Sequence, residues 1–450
     1  MKKIKKSKGG LLTTGLVFIL LCFSIQFEDI NLSMHNETLG KKSITPNLSN
    51  GKSCSLEWYR TWGGKYNDDG YGVVVDSSDN VYLAGTTGNF GAGYDDMVLV
   101  KYNGNGTQQW NCTWGGFITD HGYGVVVDSS DNLYVVGVTL SFGMGDSDIF
   151  LVKYDGNGVQ LWNSTWGEVD RQDIVCEVAI DLSDNVYLGG STGDPDIDYD
   201  MVLIKYNQNG MQIWNRTWSG ADWVNAKGVA MDSLDNVYLI GYINSFGAGE
   251  DGIVLVKYNK NGIQEWNQTW VGDNIYVPNG MAVDTSDNVY VAGHRRSPES
   301  DIDIVLVKYD GNGIQQWNRT WDGGDYDFAS GITVDSLDNV YLTGETNRPM
   351  KGYQMVLIKY DKNGTRELNC IWGGTGSEYG EGIIVDSSGN SYIVGSTYSY
   401  GAGDNDIVLV KYSFRKKPTF NEITMIIIII LSIVSVVGLA IAITYFFRKR

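Results

Sequence analysis

Three features of this chain predict an all-β fold, a seven-bladed β-propeller of four-stranded blades. One phrase recurs seven times, each repeat holds four strand-like pieces, and the two ends of the array are out of phase by one strand. The phrase is Val75-Asp76-Ser77-Ser78-Asp79-Asn80-Val81-Tyr82, with edited copies at Asp128, Asp181, Asp232, Asp284, Asp335 and Asp386. The aspartates are spaced 51 to 53 residues apart. A period near 50 with several short strands per unit marks a propeller or a similar array.

In the first repeat the pieces are Gly72–Asp76, Val81–Thr86, Met97–Tyr102 and Gln108–Trp114. β-Branched, apolar and aromatic residues fill them, and Gly, Asn, Asp and Ser separate them. The third piece ends in Tyr102, Tyr154, Tyr206, Tyr258, Tyr309, Tyr360 and Tyr412. The fourth carries Trp at i and i+4, as in Trp110 and Trp114. On a strand both indoles share one face and can pack on a neighbouring sheet. The chain enters with a lone fourth strand, Ser55–Trp62, and leaves after a third strand, Ile407–Tyr412. The spare strand is expected to complete the last sheet and close the ring, three strands from one end and one from the other, which removes exposed edges.

The repeated Gly-x-Val-Asp-x-Ser-x-Asn-x-Tyr-x-x-Gly, Asp-x-x-Leu-x-Lys-Tyr and Asn-Gly-x-x-x-Trp segments resemble the SBBP-type β-propeller repeat of microbial extracellular proteins. The resemblance covers residues 53–413. It implies a seven-bladed propeller outside the cell and no common reaction, because propellers host unrelated functions.

The ends suggest where the propeller resides. Five lysines before Leu11–Phe27 make residues 1–29 a signal peptide or signal anchor. Cys22-Phe23-Ser24 is a weak cleavage site, and Leu21 before Cys22 makes a poor lipobox. Residues 30–52 read as a linker, and 414–422 as a juxtamembrane linker. The uncharged stretch Ile423–Phe447 is long enough for a transmembrane helix. Residues 448–450, all basic, are expected in the cytoplasm. The expected location is the cell membrane, with the propeller extracellular.

The net charge is −19, and both terminal segments are basic, which leaves 53–413 near −29. Such a surface repels nucleic acid and favours cations or basic partners. Cys112 and Cys370 occupy equivalent places in different blades and are expected to be small buried residues, not a disulfide. Asn-x-Ser/Thr sequons occur at Asn31, Asn36 and Asn47, and on the array at Asn105, Asn111, Asn163, Asn215, Asn267, Asn318 and Asn363. The outer-strand copies suit glycosylation of a secreted domain.

Comparing the repeats separates scaffold from candidate site. The turns between strands one and two, and between three and four, are nearly constant. Asn80 and its six counterparts fit a left-handed turn position. The lysines of Val-Lys-Tyr, such as Lys101, are expected to answer the acids of that face. Asp96, Asp148, Asp200, Asp303 and Asp406 recur before the third strand and read as structural caps.

Variation falls on the opposite face, where binding residues on a rigid scaffold concentrate. The ligand-binding candidates there are Asp68, Asp69, Asp120, His121, Trp223, Tyr276, His294, Arg295, Asp325, Tyr326, Asp327, Glu378 and Tyr379. Glu177 joins them, because it replaces a first-strand glycine present in the other six repeats. Carboxylates mixed with aromatics suit sugars, cations or basic peptides. Alternating Asp194, Asp196, Asp198 and Asp200 offer oxygens to Ca²⁺, without the Gly and terminal Glu of a helix-loop-helix site. No serine elbow, metalloprotease helix or phosphate loop is present. The expectation is a surface binding module for an envelope polysaccharide or surface protein. The rivals are a glycosidase or lyase and a structural component of a surface layer.

Overall fold

A computed structural model describes residues 52–194, 198–220, 223–244, 252–271, 276–296 and 301–416. The signal segment and the apolar stretch at 423–447 lie outside these residues. Among the described residues no helix is long and apolar enough to cross a membrane.

Seven four-stranded antiparallel sheets follow one another. Six use four consecutive strands, as in blade one, Asp68–Val75, Val81–Thr87, Asp96–Tyr102 and Gln108–Trp114. The seventh sheet takes its outer strand, Lys52–Trp62, from the start of the array, paired with Asp406–Lys416. The inner strands are Asp68–Val75, Asp120–Val127, Gln172–Ile180, Trp223–Met231, Tyr276–Val283, Asp327–Val334 and Glu378–Val385. Each touches its neighbour, and the last touches the first. Every inner strand carries a bulge, at Gly70/Gly72 in blade one and Val175/Glu177 in blade three.

The core lies between blades. Second and third strands are buried on both faces, which is why they read as unbroken apolar runs. The outer-strand tryptophans pack as their spacing predicts. Trp110 meets Tyr82 at 5.9 Å, and Trp114 meets Phe150 of the next blade at 4.4 Å.

The constant turns are interblade devices. Asp128 accepts the backbone N–H groups of Ser130 and Asn132, the Asn132 amide and, at 3.1 Å, the Lys153 ammonium. Lys205–Asp181, Lys257–Asp232 and Lys308–Asp284 repeat the ion pair, so the lysines do answer the acids of this face. The left-handed residue is not the asparagine but the aspartate before it. Asp79, Asp131, Asp184, Asp235, Asp287 and Asp338 have φ near +60°, and Gly389 takes their place in blade seven. The asparagine is held instead by its amide on the phrase aspartate. The left-handed aspartate reaches back to the preceding blade: Ser129 donates its N–H and its hydroxyl to Asp184, at 3.0 and 2.7 Å. The outer turn does the same with a glycine. Gly158, at φ +83°, lies on the Trp110 ring of the previous blade, where a Cβ would be 3.1 Å from the indole.

The cysteine expectation is corrected. Cys370 is not a lone buried thiol: it forms a disulfide with Cys54, Cα–Cα 6.3 Å, between the outer strands of blades six and seven. Cys54 lies upstream of the recurring tryptophan pair, so comparison of equivalent positions did not reach it. Cys112 is free and partly buried.

Candidate functional site

The bulge fixes what each inner strand presents. Residues on either side of the buried position just before the bulge, Gly70 in blade one and Val175 in blade three, are half-buried apart from the exposed Ile174. One ring of such positions holds Asp69, His121, Ile174, Asn225, Val277, Phe328 and Tyr379. The next holds Tyr71, Tyr123, Cys176, Lys227, Asn279, Ser330 and Glu381. No type repeats more than twice in either ring, whereas the column that follows the second ring is glycine in six blades and Glu177 in blade three.

Aromatic rings join across blades at this mouth. His294 meets Phe328 at 4.8 Å, Phe328 meets Tyr353 at 6.4 Å, Tyr353 meets Tyr379 at 5.7 Å, and Tyr379 meets Tyr398 at 6.3 Å. On the other side Tyr71 meets Tyr123 at 5.1 Å, and Tyr123 meets His121.

Carboxyl groups stand among these rings. Burial and the nearby Glu381 push Glu345 up to about 8. Burial, then the charge of Asp69, pushes Glu381 up to about 7, against a hydrogen bond with Ser330. Asp69 accepts Ser396 Oγ at 2.8 Å and Asn405 Nδ2 at 2.5 Å from blade seven. Across the mouth, burial and then the Lys227 ammonium lower His294 to about 4, so its imidazole is neutral near pH 7. Asn279 bridges it to blade six, with its amide 3.2 Å from His294 Nδ1 and donating to Ala329 O at 2.7 Å.

Between blades two and three an open cleft of about 550 Å³ is lined by His121, Tyr123, Val138, Leu140, Asp146 and Gln172, among others. His121 Nδ1 is 3.2 Å from the Tyr123 hydroxyl, and its Nε2 is 3.8 Å from Asp95.

The sequence candidates divide by place. Asp69, His121, His294 and Tyr379 lie at the mouth or cleft. Glu177 stands on the inner strand of blade three and accepts Val229 N–H of blade four at 3.0 Å. Burial pushes it up to about 8 despite that bond. Asp68, Asp120, Asp327 and Glu378 are fully buried in the interblade turns, where they accept the N–H groups of Gly64, Gly116, Gly323 and Gly374. Trp223 packs edge-on to Tyr199 at 5.1 Å. Arg295 lies 3.7 Å from Asp303. Asp325 and Tyr326 sit in the turn before blade six, where their carbonyls accept Ile302 and Asn347 N–H. The Tyr276 side chain and Asp196 lie outside the described residues.

Of the other proposed calcium ligands, Asp194 and Asp198 close a strand hairpin, and Asp200 pairs with Thr192. Among the described residues, the acids that do converge in a group of three are Asp301, Asp303 and Asp322. Arg295 already supplies a cation beside Asp303. Tyr71, Tyr123, Phe328, Tyr353, Tyr398, Glu345 and Glu381 were missed by the sequence reading. For Tyr71, Tyr123, Phe328 and Glu381 the signal was the pair of variable columns that precede the glycine column of the inner strands. All seven sequon asparagines of the array, from Asn105 to Asn363, are exposed.

Residues 320–349 match the SBBP family, described as a beta-propeller repeat. This chain carries an SBBP beta-propeller repeat. An uncharacterized WD repeat-containing protein of Acanthamoeba polyphaga mimivirus is 25% identical over 219 residues. That match covers 45% of this chain and 14% of the viral protein's length. Two solved structures of an ulvan lyase, described as a new polysaccharide lyase family, superpose with TM-scores of 0.53 and 0.54. One of them is bound to a GlcA(1-4)Rha3S saccharide. They are 11% and 12% identical to this SBBP-repeat chain and cover 78% of it and 95% of their own chains. At that identity the likeness is one of fold.

Proposed function

We propose that this SBBP-repeat protein is a membrane-anchored surface binding module that recognises an envelope polysaccharide or glycoprotein at the channel mouth. The observation that carries this reading is the run of rings from His294 to Tyr398 across blades five to seven, set beside Asp69, Glu345, Glu381 and Asn279. A sugar ring offers an apolar C–H face and a rim of hydroxyls. Aromatic faces cover the first, and carboxyl and amide groups bond the second. The rings belong to a rigid scaffold, so little ordering entropy is lost on binding. The exposed outer-strand sequons leave the rims to glycans and the mouth to the ligand. The anchor is the apolar stretch at 423–447, and the propeller faces outward.

The test is retention of the protein on an envelope-polysaccharide panel. Tyr353→Ala and Tyr379→Ala should each weaken retention at least about tenfold, as loss of a stacking anchor does, with no change in melting temperature. Equal retention by both variants would sink the proposal.

A second reading, a polysaccharide lyase, draws on the His121–Tyr123 contact in the open cleft and on the fold shared with the ulvan lyase. Elimination needs a base to take the proton beside a uronate carboxyl group and an acid to protonate the departing sugar oxygen. An imidazole and a phenol in contact offer both roles. Unsaturated product from a uronate polymer, lost in Tyr123→Phe, would favour this reading over simple binding.

A further inference from the structure

The chain leaves the propeller on the face of the constant turns. First and third strands run from the variable loops to these turns, and second and fourth strands run back. Blade seven ends on a third strand, Asp406–Lys416, paired along its length with Lys52–Trp62. Beyond Tyr412, Ser413 and Phe414 line one hollow with Gly104 and Asn105 of the outer turn of blade one and Ser388 and Gly389 of the inner turn of blade seven. Beside it Lys411 donates to Gly104 O at 3.0 Å.

Chain length decides which face the following apolar stretch can reach. Ile423 is seven residues beyond Lys416, at most about 25 Å of extended chain. The paired strand Asp406–Lys416 has 11 residues and spans roughly 34 Å. The tether is therefore too short to double back past that strand to the variable face. With 423–447 read as a membrane anchor, the constant turns face the bilayer and the channel mouth opens away from it.

The same face carries aliphatic side chains that the fold does not use. Leu182, Leu234 and Leu337 stand in the inner turns, 85%, 68% and 74% exposed. These turns ask only for a backbone N–H. Leu234 and Leu337 donate theirs to Asp232 and Asp335 as Ser130 does to Asp128, and Leu182 donates to Asp235 as Ser129 does to Asp184. Serine serves equally, and blades one, two and seven have it at both positions. Just after the outer turns Val159, Met211, Ile263 and Ile314 are each more than half exposed, where blades one and six have Thr107 and Thr365. Exposed aliphatic residues scattered singly need no explanation. These share one face and lie on blades two to six, not on blades seven and one, where the chain leaves.

We propose that the constant face rests on the lipid surface of the bilayer that holds the chain's own apolar stretch, with the three leucines and the four outer-turn residues in the interface. This rests on the reading of 423–447 as a membrane anchor. A single tether at blade seven would let the propeller tilt about that edge. Apolar contacts across blades two to six hold it flat, since binding at a bilayer surface grows with the apolar area buried there. The acids of the face are bonded within it, to the lysines and to the interblade serines, and need no cation from the lipid.

Full-length protein in phosphatidylcholine vesicles that contain doxyl-labelled phosphatidylcholine tests the assignment. A fluorophore is attached at Leu234→Cys or, on the variable face, at the exposed Phe117→Cys, each in a Cys22→Ser/Cys112→Ser/Cys176→Ser background. The doxyl lipid should quench the label at 234 at least about threefold more than the label at 117. With the label moved to Ile314→Cys, Leu182→Ser/Leu234→Ser/Leu337→Ser should keep the melting temperature and lose about half of the quenching or more. In protein that floats with the vesicles, equal or greater quenching at 117, or quenching at 314 untouched by the triple variant, would overturn the proposal and leave the anchor standing. Protein that does not float with the vesicles would overturn both.

Discussion

Cys54 and Cys370 are 316 residues apart in sequence and joined by a disulfide between adjacent outer strands. The bond fastens the N-terminal strand, the only one in its blade not contiguous with the rest, to the blade before it. Cross-linking so long a loop restricts the unfolded chain, worth about 5–6 kcal/mol in the chain-entropy account. Reducing agent, or the pair Cys54→Ser/Cys370→Ser, should lower the unfolding midpoint, and Cys112→Ser should leave the redox dependence intact. A midpoint indifferent to reductant would contradict this.

Asp184 combines a left-handed backbone with two bonds to Ser129 of the preceding blade. Asp184→Ala loses the bonds and keeps a conformation that suits Ala poorly, so it should cost about 1–3 kcal/mol. Asp184→Gly loses the same bonds without the strain and should cost less, as Gly389 in the equivalent place suggests. Denaturant unfolding of the two variants gives the order, and Gly costing more than Ala would refute the account.

Acid should unfold this protein through its phrase aspartates. Burial alone would raise Asp128, but the bonds from Asn132, Ser130 and Lys153 outweigh it and hold the carboxyl below its ordinary 3.8. The same net lowering holds at Asp76, Asp181, Asp232, Asp284 and Asp335. A depressed folded value gives stability that is present above the unfolded value and lost as pH falls through the folded one. Stability should therefore drop steeply below about pH 4, and Asp128→Asn/Asp181→Asn should shallow that limb. Stability measured from pH 5 to 2 checks it.

Glu177 has the opposite sign. Its folded value near 8 lies above the ordinary 4.5. The folded state then holds a proton that the unfolded state gives up, so this group favours folding at low pH and less so as pH rises through 8. Glu177→Gln, which keeps the shape without the charge, should stabilise the protein more at pH 8.5 than at pH 5. An equal effect at both pH values would show that burial of Glu177 is not felt as charge.

The fold was legible because the repeat reports itself seven times. Strand positions, the Trp pair and the lysine–aspartate ion pairs all follow from columns that scarcely change. The left-handed position was misplaced by one residue because Asp and Asn are adjacent, and both types tolerate that conformation. The disulfide was not legible. Cys54 has no counterpart in the repeating phrase, and only three-dimensional closure brings it beside Cys370. Four of the sequence candidates, Asp68, Asp120, Asp327 and Glu378, proved to be buried inside the seams. A polar residue that varies between copies is not thereby exposed. Tyr353 and Glu345 escaped notice for the converse reason. Nothing in their local sequence differs from an ordinary strand residue until the neighbouring blade is in place.

The contact between Gly158 and Trp110 has a directional consequence. Five outer-turn glycines, Gly106, Gly158, Gly210, Gly262 and Gly313, act as plugs, each against a socket, the indole of the preceding blade. Such a head-to-tail tile is self-complementary without being symmetric, and its geometry ends in a closed circle or an open filament. A single repeat expressed alone would leave both halves unmet, so its natural state is assembly with copies of itself. The covalent chain therefore acts as a counter: it sets how many tiles enter the circle.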